Sequence, residues 1–426
     1  MLSPIGVIAV LAAYMVLLFA LAAWAEKKSP AANALTDSPL VYVLSLGVYC
    51  TSWTFYGSVG VAAHSGLLFL AVYLGPTLVW FLGWNLTRRL ARFTAEHRVS
   101  NLGDLLAARY GRTAGLPALA TLLALLAINP YIALQLKSIL STFDLMIGKG
   151  LTQHWAAAGG TVEFLVVGFV AAITLMFGLR QLDPTQRQRG IVLMLATQSV
   201  VKLASFLAIG VFVTYGLYDG IGDIFQQIAT RPEASGMWHT GNAQWYSTFL
   251  TWFILSIGAS LFLPQQFHVT IVELPRLSLL RSAMWGMPLY LLAITFFVSP
   301  IAAAGLLDGY PPSSADTYVL ALPIGHASPW LAVAVFIGGF SSAVGMIVIC
   351  SMALSVMVAN NLVMPLTEGG AIFKGIRRHG LWVRRVAVVC IILAGYFFQR
   401  AVGESYFLVS MGLIAFAGVI QFAPAI

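Results

Sequence analysis

Charge is what this sequence has least of. Only 9% of its 426 residues are Asp, Glu, Lys or Arg, against roughly 25% in an ordinary soluble domain. A chain so poor in charge cannot cover a water-facing surface, which excludes a soluble enzyme of one to three domains. Cysteine is scarce as well. Cys50, Cys350 and Cys390 all lie inside apolar runs, which argues against a disulfide framework and leaves three small buried hydrophobes. All fifteen acidic residues fall in loops or at the ends of apolar runs. What the chain has in quantity is hydrophobicity, at 59% of residues, with aromatics at 12%. No short repeat appears, so it is neither fibrous nor disordered. It reads as an all-α polytopic membrane protein.

A hydrocarbon core of about 30 Å takes roughly 20 apolar residues per helix. Eleven segments qualify: 4–25, 40–63, 66–86, 114–145, 162–180, 190–216, 244–268, 284–306, 329–359, 383–399 and 405–426. They do not alternate polar and apolar residues as barrel strands would. The first follows Met1 with no basic stretch and no small-residue cleavage site, so it reads as a retained span. With the N-terminus outside, the inner loops hold 18 Lys and Arg and the outer loops three. Basic residues concentrate in cytoplasmic loops, so this bias assigns the N-terminus to the outside and a net charge of +8 to the membrane rather than to nucleic acid. Span 11 ends at Ala423-Pro424-Ala425-Ile426 without an interfacial anchor. Last helices commonly carry one, so the chain is expected to continue on the cytoplasmic side.

With span 1 set aside, ten spans remain as two groups of five, and an odd number per group inverts the second in the membrane. Secondary transporters are often built this way, with the substrate site where broken helices meet. The expected division is 1–39 (extra span and inner loop), 40–216 (first repeat), 217–243 (outer loop) and 244–426 (second repeat). Both first helices carry disruptive residues. Span 2 has Ser45, Gly47, Thr51, Ser52, Gly57 and Gly60, and span 7 has Ser256, Gly258, Ser260 and Pro264. Proline removes a helical hydrogen bond, and irregular backbone survives at membrane depth only where it lines protein or a cavity. Small residues also serve close helix packing, but matched disruption in both halves favours a transport site.

Four stretches carry a resemblance. Ser45–Gly60, Asn101–Gly111, Leu263–His268 and Gly339–Ser342 continuing to Cys350-Ser351 resemble motifs of the sodium:solute symporter family across nearly the whole chain. Leu44–Tyr49, Trp53–Gly57, Met411–Leu413 and Gln421–Pro424 are most similar to the transporter-like N-terminal module of certain bacterial sensor histidine kinases. The resemblance implies a LeuT-type five-plus-five inverted-repeat fold with one extra N-terminal span, in the bacterial inner membrane. It implies a sodium ion held by the carbonyls of Val48 and Thr51 and the hydroxyls of Ser341 and Ser342. It also implies cytoplasmic kinase domains in the native chain, although nothing in these residues binds ATP, and His97 and His379 sit in inner loops without kinase context.

Oxygen ligands suit a hard cation, but Ser341 and Ser342 could equally bond back to their own helix. Cys50 stands where proline-type symporters carry an Asp. No carboxylate lies near the bilayer centre, and only His268 offers a proton relay, so sodium is favoured over protons. Lys137 and Lys202 are the ionisable groups well inside apolar runs. Each is a functional candidate or a side chain snorkelling to an interface. The expected solute contacts are Tyr49, Trp53, Tyr56, Gln135, Ser256, Gly258 and Gln265, since positive half-helix ends at the breaks suit a carboxylate. The expected function is a sodium-coupled symporter module for a small organic solute, an amino acid and for the kinase-linked type histidine. The alternative is a receptor module that binds the solute and signals without net transport. No charged or carbonyl-rich filter supports a channel.

Overall fold

The structure is a computed structural model that describes residues 4–27, 29–111, 114–148, 161–178, 187–231, 237, 241–366, 379–402 and 408–425. Every regular element among them is helical. Nine of the described helices are long and apolar enough to cross a membrane. Two shorter apolar helices, Pro39–Tyr49 and Glu163–Phe177, accompany them. The shorter count has two causes. Span 5 is brief as described, and span 2 is interrupted, its second half running on into span 3 as Trp53–Leu82. That stretch still turns a corner. Gly66 has φ +57° and its Cα faces the Met237 carbonyl so closely that a Cβ would come within 2.2 Å of it, a conformation and a space that only glycine accepts. Lys149 and the 367–378 part of an inner loop lie outside the described residues.

Local chemistry sets the helix starts. Pro39 opens span 2 behind Ser38, whose hydroxyl accepts the Val41 N–H at 3.3 Å. Asn242 accepts the Trp245 N–H at 2.7 Å at the start of span 7. Both are side-chain caps on orphan helix donors. Proline at the first helical position costs nothing there.

Both expected breaks are present. Span 2 runs as Pro39–Leu46, tightens into a 3-10 turn at Gly47–Tyr49, and leaves the helix at Cys50 (φ −81°, ψ 94°) before resuming near Trp53. Span 7 runs to Phe262, leaves the helix at Leu263 (φ −60°, ψ 127°), and restarts at Pro264. A π-helical turn follows each break, Trp53–Gly57 and His268–Val272. The short Pro264–Phe267 helix lies against the Gly47–Tyr49 turn and against span 9 (Pro329–Met357). The two breaks therefore meet.

Span 9 is the most enclosed of the long helices and packs on span 6 (Arg189–Val211). Span 4 (Gly115–Ile147) packs on spans 10 and 11 (Gly380–Val402 and Leu408–Val419). Small residues allow these approaches, as at membrane helix interfaces generally. A Cβ on Gly412 would meet Trp53 at 2.7 Å, and one on Gly258 would meet Ile420 at 2.5 Å. The outer circumference carries exposed Leu82, Leu126, Leu289 and Trp330, apolar surface that suits lipid and not water.

Candidate functional site

The break in span 2 leaves backbone groups at both of its ends, and side chains from spans 4 and 6 meet them. Lys202, buried in span 6, donates from Nζ to the Gly47 carbonyl at 2.6 Å and the Cys50 carbonyl at 2.8 Å. These carbonyls face the C-terminal, electronegative end of the first half-helix, where a cation is favoured. At the other end, the Ser52 N–H donates to Gln135 Oε1 at 3.1 Å, and the Trp53 N–H to Thr51 Oγ1 at 3.3 Å. The positive start of the second half-helix is thus already capped by an amide oxygen and a hydroxyl.

The structure locates the residues expected to hold sodium as follows. Thr51 gives its carbonyl to the Phe55 N–H at 3.0 Å, as in an ordinary helical turn, and its hydroxyl lies 3.1 Å from that of Tyr131. Val48 is buried in the 3-10 turn. The carbonyls that meet a positive charge are Gly47 and Cys50, each one residue earlier than expected. Ser342 donates to the Gly338 carbonyl at 3.0 Å and Ser341 to that of Ile337 at 2.8 Å, the back-bonding open to any helical serine. Ser341 also shares a 2.6 Å hydrogen bond with the Tyr14 hydroxyl of span 1. The two serine hydroxyls keep lone pairs, since a hydroxyl that donates can still accept, but the ammonium of Lys202 stands on the neighbouring Gly47 and Cys50 carbonyls and already brings a positive charge to the break.

The expected solute contacts divide. Gln265 is buried in the span 7 break, its Oε1 without a partner among the described residues. Ser52 Oγ, Ser351 Oγ and both amide atoms of Gln198 are buried and unpartnered in the same sense. Buried polar groups are nearly always paired, so the Ser52 and Gln265 atoms mark the breaks as a place where a polar guest or water belongs. Gln135 caps the second half-helix, and Tyr56 lies with its hydroxyl against Gly339 of span 9. Tyr49, Trp53 and Ser256 are engaged in the scaffold. Tyr49 donates to the Val72 carbonyl at 2.9 Å, Trp53 Nε1 to that of Val409 at 3.4 Å, and Ser256 to that of Phe253 at 2.8 Å. Gly258 is the packing contact on Ile420 already described.

The Trp53 indole is accordingly expected to act through packing. Trp53→Phe should cost roughly 2–3 kcal/mol, from one hydrogen bond and the cavity left by the smaller ring, with solute affinity unchanged. Thermal unfolding and solute titration of the purified variant check both numbers.

Two features of the region carried no sequence signal beyond a charge at a helix end. The first joins the side that the basic loops assign to the cytoplasm. Arg187 Nη1 binds Asp37 at 2.7 Å, before span 2, and its Nε donates to the Glu273 carbonyl at 2.9 Å, after span 7. Glu273 is buried, accepts the Gln188 N–H at 2.9 Å, and lies 3.2 Å from His268 Nε2. The ends of both broken spans and the start of span 6 are tied together. The second feature is Asp316, in the Pro312–Thr317 turn, whose carboxylate presses on Gly60 above the span 2 break. Burial pushes this carboxyl up, opposed by the charges of Lys137 and His64. All fifteen carboxylates were expected in loops or at span ends, and Asp316 and Glu273 keep that place while being turned inward. Lys137 is one of the charges around Asp316, and not a snorkelling side chain in isolation.

No family model matches the chain. A curated relative, the uncharacterized symporter YhjB of Bacillus subtilis (strain 168), is 26% identical over 298 residues, which cover 68% of this chain and 56% of the relative. The matched region thus spans little more than half of that protein. Among solved structures, a Na+-coupled sialic acid symporter in a substrate-bound outward-open state aligns with TM-score 0.66 at 13% identity, over 97% of this chain and 86% of that one. The fold is that of a Na+-coupled symporter. The chain is a multi-pass membrane protein similar to transporters, not to enzymes.

Proposed function

We propose that this chain is the translocating unit of a symporter that binds a small organic solute of the amino-acid class where the two broken helices meet. The observation that carries the reading is the contact between the Gly47–Tyr49 turn and the Pro264–Phe267 helix, with unpartnered polar atoms of Ser52 and Gln265 buried in the two breaks. The symporter relative supports transport. In this reading 40–216 and 244–426 are the two inverted repeats, 217–243 is an outer loop, and 1–39 brings the extra span whose Tyr14 reaches span 9. The N-terminus is outside, in a bacterial inner membrane, as the basic loops suggest. Histidine is the first solute to try, because the kinase-linked resemblance of 44–57 and 411–424 points to it. That resemblance is also the whole support for cytoplasmic kinase domains. Val48, Thr51, Ser341 and Ser342 are not included as a sodium site, for the reasons of geometry given above.

Uptake of labelled amino acids into proteoliposomes tests the proposal. Accumulation of at least one, with Gln265→Ala lowering its affinity about tenfold or more (1.4 kcal/mol), is the expected result. Gln265 is chosen because its amide oxygen has no scaffold role to lose. Binding without accumulation would make the chain a receptor module. No binding of any amino acid, or affinity indifferent to Gln265→Ala, would overturn the site.

A further inference from the structure

We infer that the ammonium of Lys202 is a resident cation at the span 2 break, where the resemblance to sodium:solute symporters implies a sodium ion. The inference rests on the symporter reading for its meaning in transport, and on geometry alone for the position.

A helix that breaks inside a membrane must satisfy the carbonyls it releases, because no water is there to do so. The break frees the Cys50 carbonyl, and the Gly47 carbonyl, which closes the 3-10 turn by accepting the Cys50 N–H at 3.0 Å, offers its second lone pair; both fall within 2.8 Å of one nitrogen atom. Converging carbonyls at a half-helix C-terminus are what a monovalent cation needs, and transporters of this architecture place ions on such carbonyls. Here the charge arrives on a side chain. Lysine suits the task better than arginine, since its charge is compact and its three donors rotate freely. Lys202 is buried, and both of its hydrogen bonds go to backbone carbonyls, not to a carboxylate. Its charge is therefore balanced by the peptide dipoles that would otherwise balance an ion.

A second unit charge of the same sign within about 4 Å would be repelled strongly in so dry a site. The span 9 hydroxyls are engaged in the scaffold as donors, which leaves the exclusion of sodium to the lysine charge. Ser341 and Ser342 both donate to carbonyls of their own helix, and Ser341 meets Tyr14. Span 6 is also fixed firmly enough to aim the lysine. Tyr290 of span 8 donates to the Ser199 carbonyl at 3.0 Å, and Ser205 Oγ to that of Lys202 at 3.0 Å. Gly47 is pressed so closely on span 6 that a Cβ would stand 2.7 Å from Ser199 Oγ. Ammonium and carbonyls are thus held in register by packing on both sides.

Retention of radioactive sodium by the purified protein, without any solute, is the direct test. Wild type is expected to retain none at this site, whereas Lys202→Gln retains sodium, because the amide keeps donors for the carbonyls but removes the charge that excludes the ion. Equal retention by the two proteins, at any level, would overturn the inference. Should Lys202→Gln fail to fold, the melting temperature of wild type in sodium chloride and in choline chloride decides. No shift is expected, and a sodium-dependent rise would overturn the inference. If amino-acid binding is found, its Kd in wild type should change by less than about twofold between the two salts, while Lys202→Gln binds about tenfold more tightly in sodium than in choline. The sodium measurements stand if no solute binds, so a failure of the symporter reading is told apart from a failure of this one.

Discussion

Glu273→Ala should loosen the side of the molecule that carries the basic loops and cost roughly 3–5 kcal/mol, the usual effect of removing one partner from a buried ionic cluster. The carboxylate is 1% exposed and serves His268 and the Gln188 N–H together. Its loss leaves a buried imidazole and a buried amide without their acceptor, and unmet buried donors carry their full desolvation cost. The backbone carbonyl of residue 273 still receives Arg187, so the tie to Asp37 weakens without vanishing. Glu273→Gln keeps an oxygen for the Gln188 N–H and is expected to cost about half as much. Two measurements check this. Thermal unfolding of the purified variants gives the order wild type, Gln, Ala. Alkylation of Cys50, with Cys350 and Cys390 replaced by serine, reports access to the break, since Cys50 is buried there. Faster modification in Glu273→Ala is expected. An unchanged rate with an unchanged melting temperature would remove the cluster from any gating role.

How much of this was legible in the sequence follows from which forces act at short range along the chain. The spans were visible because the bilayer dictates length and apolarity residue by residue, and the breaks because Pro264 and the Gly–hydroxyl run of span 2 disturb helical bonding locally. The position of the break could be read only to within a residue. Sequence pointed to Val48 and Thr51, while the carbonyls that turn inward are those of Gly47 and Cys50. One residue on a helix is about 100° of rotation, and which carbonyl is released depends on what packs against it. Lys202 was visible as a charge inside an apolar run but open to two readings, because its partners lie some 150 residues away. Gln135 reads from the sequence as a solute contact, while in the fold its amide oxygen caps the Ser52 N–H at the break. The Arg187–Asp37–Glu273 cluster was invisible for the same reason. Each member sits at a different helix end, and only the fold brings the ends together.

Gln135 offers the sharpest separation between scaffold and solute site. Its Oε1 accepts the Ser52 N–H at the start of the second half-helix, so Gln135→Leu leaves that donor buried and unmet. The expected cost is roughly 1–3 kcal/mol, near what an N-cap is worth when a side-chain oxygen is removed. Thr51 still accepts the Trp53 N–H, which keeps the half-helix from unravelling. Gln135→Glu keeps the acceptor and adds a negative charge where the helix dipole favours one, but it loses the amide donor to the Tyr131 carbonyl and buries a charge, so its stability should fall between those of wild type and Gln135→Leu. The order Gln, Glu, Leu in melting temperature is the signature of a cap. Solute binding gives the second axis. If the carboxylate of an amino acid must reach the same half-helix end, it competes with the amide oxygen, and Gln135→Glu should weaken binding by about tenfold while melting above Gln135→Leu. Gln135→Leu would then bind more tightly despite melting lower. Losses of affinity that follow the losses of stability across both variants would show that the solute does not approach this end of the break.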